Sequence, residues 1–145
     1  MAWNMSFEYD AQNDVVTAYF TDCILVNEAD VLRWRKDVEE RLSKYPSRVD
    51  LLINLDGLVV KFTAGRVFGK ERREVLERYT HRSYRFGGDE MTRMFVLTSG
   101  AINGAAVNHY ATRDEALAAL QAEREALRKR GFSPFGGGGF VGSKV

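Results

Sequence analysis

Cysteine, proline and histidine are scarce in this 145-residue chain, with one, two and two copies. The single thiol, Cys23, can close no internal disulfide. With only His81 and His109 far along the chain, it does not make a metal-ligand cluster either. A buried structural thiol is the expectation. No apolar run approaches the roughly 20 residues of a membrane span. The opening MAWNMSFEYD lacks the basic-then-apolar order of a signal peptide, so the expected location is the cytoplasm. An excess of one charge is missing too. Lys and Arg total 21 against 20 Asp and Glu, and a net charge of +1 supplies no overall field to draw in nucleic acid or membrane.

What is present is ordinary for a folded domain: 45% hydrophobic and 28% charged residues, too apolar for disorder. The length suits one domain, taken as residues 1–130. Residues 131–145, GFSPFGGGGFVGSKV, carry six glycines and three phenylalanines and read as a flexible tail.

Two short segments, 6–10 and 15–20, are rich in aromatic and β-branched residues around the turn residues AQND, which predicts an N-terminal hairpin. After Asn27, an N-cap by residue type, Val31, Trp34, Val38, Leu42 and Tyr45 recur at helical spacing. VDLLINL at 49–55 is nearly continuous apolar sequence, the pattern of a central strand covered on both faces. A second helix is predicted from the corner at Thr63 to about Tyr79 or Arg82. Gly87 and Gly88 break the chain before MTRMFVLTS, 91–99, which reads as a strand, while YRF before the glycines stays undecided. An edge strand at 107–110 precedes a capping box, Thr112 with Glu115, and a last helix ending near Arg130. The expected fold is α/β, a single-domain sandwich with a mixed sheet of about four to five strands and helices packed on it.

Chemical motifs fare poorly. G-R-V-F-G-K at 65–70 has three residues between its glycines where a nucleotide loop has four, and Glu71 stands where a hydroxyl would bind magnesium. Ser99 in LTSGA has no G-x-S-x-G context, and reads as a turn residue after a strand. Glu39 with Glu40, and Asp89 with Glu90, sit beside basic residues on segments expected to be solvated. The run KERREVLERYTHRSYR, 70–85, mixes Lys, Arg and Tyr as nucleic-acid surfaces do, but Glu71, Glu74 and Glu77 interleave at pairing distances. The small, Gly-rich stretch from Thr98 to Asn108 fits a turn as well as a close approach to a partner.

LLINLDGLVVKFTAGRVFG, 51–69, runs without gaps along the pattern of an apolar strand, a polar-Gly turn, a short apolar segment and D-S-[ST]-G opening a helix. On these residues the chain resembles a STAS domain, the fold of bacterial anti-sigma-factor antagonists, over roughly residues 5–128. The resemblance places Thr63 on the hydroxyl residue that a partner kinase phosphorylates, and Gly65 on the glycine. Phe62 stands in place of the acidic residue, Ala64 in place of the second hydroxyl, and Arg66 and Val67 in place of Leu-Gly. AINGAAVNHY leaves little room for the helix that the family places between its last two strands.

The resemblance implies a non-enzymatic regulatory domain without a cofactor, docking on a protein such as an anti-sigma factor or a kinase. Its surface would comprise Asp56, Gly57, Phe62, Thr63, Gly65, Arg66 and Phe68, with Phe62 and Phe68 as apolar anchors. Thr63 then has two readings, a helix N-cap or a phosphorylation switch. The alternative function is a module that binds small anions or nucleic acid through a basic helix from Arg66 to Arg85.

Overall fold

The computed structural model describes residues 3–103 and 108–130. Its N-terminal hairpin joins β1, Asn4–Asp10, to β2, Val15–Thr21. A three-residue strand, β3, Cys23–Leu25, leads to α1, Glu28–Leu42, whose first turn is capped by Asn27 Oδ1 accepting from the Asp30 amide at 3.0 Å. β4, Val49–Asn54, is followed by β5, Leu58–Val60, a 3₁₀ turn at Phe62–Ala64, and α2, Gly65–Tyr79. Then come β6, Thr80–Phe86, α3, Glu90–Asn103, the edge strand β7, His109–Tyr110, and α4, Arg113–Lys129.

Five strands form one mixed sheet in the order β1-β2-β4-β6-β7, antiparallel at β1-β2 and parallel thereafter, while β3 and β5 pair in parallel as a separate ribbon. β4 lies at the centre, and its alternation shows why the run is apolar throughout. Leu51 and Ile53 face the core under α1, α2 and α3, and Leu52 faces the smaller core under α4. The larger core is stapled by Trp34, whose ring lies 5.3 Å from that of Phe68 and 6.4 Å from that of Phe20.

Two expectations give way here. Residues 91–99 are not a strand but the body of α3, the helix for which the sequence left little room. Thr92, Phe95 and Val96 point inward at spacings of three and one, a helical stripe, and Asp89 accepts from the Thr92 amide at 2.7 Å to start the helix. β-branched and aromatic content suggested a strand, but burial follows a period of 3.6. Ser99 is therefore helical and not a turn residue after a strand. The second is the basic helix from Arg66 to Arg85, since YRF, undecided from the sequence, belongs to β6. Helix α2 stops at Tyr79, where Thr80 turns extended and its hydroxyl donates to the Leu76 carbonyl at 2.7 Å. The stretch 66–85 is thus helix as far as Tyr79 and mostly buried strand from Thr80, and the basic helix proposed over it does not exist as one element.

The capping box is present: Thr112 Oγ1 accepts from the Glu115 amide at 3.2 Å, and Glu115 Oε1 accepts from the Ala111 amide at 3.1 Å. Cys23 is buried as expected, and burial raises its thiol pKa. The tail from residue 131 lies outside the described residues, as does part of the stretch 98–108.

Candidate functional site

The corner between β4 and α2 is built from its turns upward. At Gly57 the backbone takes φ +82°, and a Cβ there would lie 2.1 Å from the Phe20 carbonyl oxygen, so only glycine fits. Asn54 Oδ1 accepts from the Asp56 amide, and Asp56 Oδ1 accepts from the Gly88 amide, both at 2.8 Å. Asp56 is therefore spent on tying this turn to the one after β6. β5 then pairs with β3, and the Lys61 amide extends that ladder by donating to the Leu25 carbonyl at 2.9 Å. The ladder lays the corner directly beside Val26.

Thr63 makes use of that placement. Its hydroxyl donates to the Val26 carbonyl at 2.5 Å, and it does not cap a helix. The cap positions of the 3₁₀ turn and of α2 are Lys61 and Ala64, and neither has a side-chain cap hydrogen bond. The N-cap reading of Thr63 is thus replaced by a staple between the corner and the segment leading into α1. The residue remains exposed.

Two of the expected contact residues are buried. Phe68 is 1% exposed, locked against Trp34, and cannot anchor a partner. Gly65 is buried because α3 crosses it: a Cβ would sit 2.4 Å from Phe95 Cε1. Gly69, one turn on, is buried as well. The spacing G-R-V-F-G that invites a nucleotide-loop comparison opens a helix, with Gly65 giving Phe95 its close approach. Phe62, by contrast, is 80% exposed, and Ile24 and Val26 beside it on the β3 side are nearly half exposed. Sequence reading missed those two, because a three-residue strand in a separate ribbon carries no periodic signal. Lys61 and Arg66 are exposed on the same short segment. The corner therefore presents an apolar tip flanked by cations, with one hydroxyl at its base.

Several other polar groups are occupied structurally. Arg35 gathers Glu39, Glu71 and Glu74, and the Glu71 hydrogen bond leads the forces raising its basicity. Asp89 caps α3, and His109 Nε2 lies 2.8 Å from the Gly87 carbonyl oxygen. Arg72 and Arg85 are buried between β6, α2 and α3. Burial lowers the Arg72 pKa to about 10, and burial followed by the Arg72 charge holds Arg85 well below its ordinary value. Among the described residues there is no group of three or more His, Cys, Asp and Glu able to hold a metal ion. No described helix is long and apolar enough to cross a membrane.

The order of strands, with three helices on one face and one on the other, defines the class: an α/β domain with a SpoIIAA-like fold. A solved structure of an uncharacterized protein of the DUF3478 family from Shewanella loihica PV-4, described as having that fold, superposes with a TM-score of 0.53. The two are 12% identical, and the match covers 83% of this chain and 96% of that one. No protein-family model matches the sequence, and no curated protein is significantly similar to it. The likeness to a STAS domain read from residues 51–69 thus holds at the level of fold.

Proposed function

We propose that the chain is a non-enzymatic regulatory domain of the bacterial cytoplasm that docks on a partner protein through the Phe62–Thr63 corner. The observation that carries this reading is Phe62. A ring 80% exposed at the tip of a 3₁₀ turn does nothing for the fold, and beside Ile24 and Val26 it makes an apolar patch of the kind that partners cover. Asp56 and Gly57 shape the turn, Arg66 and Lys61 form the rim, and Gly65 and Phe68 act from beneath by holding α2 in place.

Thr63 is the candidate modification point of this surface. Phosphorylation would remove the proton that the hydroxyl donates to Val26 and set nearly two negative charges beside that carbonyl oxygen. The staple would then become a repulsion, partly offset by Lys61 and Arg66, and the exposed tip would change shape and sign together.

A binding assay against an anti-sigma factor or kinase encoded beside this chain's gene tests the reading. Phe62→Ser should weaken capture at least about tenfold, since a central aromatic anchor is worth about 2 kcal/mol. Leu127→Ser, at an exposed site on α4, should leave capture unchanged. Equal loss in both variants, or none in Phe62→Ser, refutes docking at this corner. Equal capture by wild type and Thr63→Glu refutes the switch alone.

A further inference from the structure

At the end of the sheet where β4 and β6 begin lies an open cleft of about 580 Å³, bounded by the β1-β2 turn, the α1-β4 loop and α4. Its floor is Asp50, a carboxylate placed in a largely apolar strand. Arg82 binds Asp50 side-on, with Nε and Nη2 each at 3.1 Å, and Arg124 adds Nε and Nη2 at 3.0 and 2.8 Å. Arg124 is then engaged at all three of its nitrogens, because Nη1 and Nη2 also reach the Asn13 and Asp14 carbonyls. Arg82 is not: among the described residues its Nη1 edge donates to nothing. Arg48, on the rim, makes no side-chain hydrogen bond or ion pair with any described residue, and it is exposed.

The charges do not balance. Arg48, Arg82 and Arg124 face Asp50 and Asp14, three cations against two anions, and Asp14 also accepts from the Tyr9 hydroxyl. Asp50 orients two guanidinium groups that would otherwise be mobile, and orientation in advance is what makes a guanidinium fork an effective oxyanion receptor. The volume falls within the range of small-molecule sites, several times what a bare oxyanion needs, and Tyr9 and Tyr45 supply ring walls for the rest of a ligand. We propose that this cleft binds a small aromatic phosphate, with Arg48 and the free edge of Arg82 on the phosphate oxygens and Asp50 positioning Arg82. The site lies away from the Phe62 corner and stands or falls independently of it.

Phenyl phosphate, inorganic phosphate and phenol, titrated separately at low salt while backbone amide NMR shifts are followed, test the proposal on the unmodified protein. Saturable shifts at millimolar phenyl phosphate, centred on residues 45–50, 81–82 and 124, are expected, with weaker binding of phosphate and none of phenol. Arg48→Gln, at a position that holds no structural contact, should raise the dissociation constant about tenfold. Absence of saturation, shifts centred on Arg66–Arg78 instead, or undiminished affinity in Arg48→Gln overturns the proposal.

Discussion

Gly65→Ala separates a packing role for this glycine from any other. Its backbone is helical, with φ −59° and ψ −40°, so alanine would fit the conformation and gain about 1 kcal/mol of helix propensity. The new methyl, however, would lie 2.4, 2.7 and 2.9 Å from three atoms of the Phe95 ring, about 1 Å inside ordinary contact. Either α3 shifts or the half-buried ring swings off α2, and overpacking of this kind costs about 1–3 kcal/mol. The net expectation is destabilisation of up to about 2 kcal/mol, with the melting temperature falling by about 3–5 °C per kcal/mol for a chain this size. In a Phe95→Ala background the obstacle is gone, and Gly65→Ala should stabilise by about 1 kcal/mol. Urea denaturation of the four proteins measures the coupling directly. A stabilising Gly65→Ala in the wild-type background, or the same effect in both backgrounds, refutes the reasoning.

Other consequences concern polar side chains with fixed partners. The Tyr84 hydroxyl donates to Glu123, and burial first, then that hydrogen bond, raises its pKa above the ordinary value of 10.0. A raised pKa contributes stability that is complete below pH 10 and lost as pH rises toward the folded value. One tyrosine should therefore ionise only with alkaline unfolding when followed by absorbance, and Tyr84→Phe should abolish that late step. Asp50→Asn leaves Arg82 and Arg124 facing each other without their shared carboxylate and should cost about 3 kcal/mol in urea denaturation. A loss below about 1 kcal/mol would mean that the two arginines, mostly buried, are solvated well enough without it. Thr63→Val removes the staple to Val26 and should cost about 1 kcal/mol, with no greater loss because the site is exposed.

Local chemistry was legible wherever one side chain acts on its own neighbours. Asn27 and Thr112 cap the helices expected of them, and the apolar run VDLLINL marks the central strand covered on both faces. It failed where a distant partner decides. The α3 stripe reads as strand until Asp89 and the groove over Gly65 are seen together. Phe68 looks like a surface anchor until Trp34 is placed against it. Thr63 was located correctly at the corner, but its hydroxyl partner comes from Val26, 37 residues away, and no sequence spacing announces that. Asp50 within VDLLIN was the one overlooked local signal, since an acid in a doubly covered strand needs buried partners.

The proposed docking surface is the exposed Phe62–Thr63 corner. A photo-crosslinking side chain placed at position 62, and in a second protein at position 127 on α4, tests it in cells. A discrete crosslinked species from position 62, absent at 127 and diminished by Thr63→Glu on the same chain, is expected. Equal products from both positions, or none at 62 alongside one at 127, would contradict it.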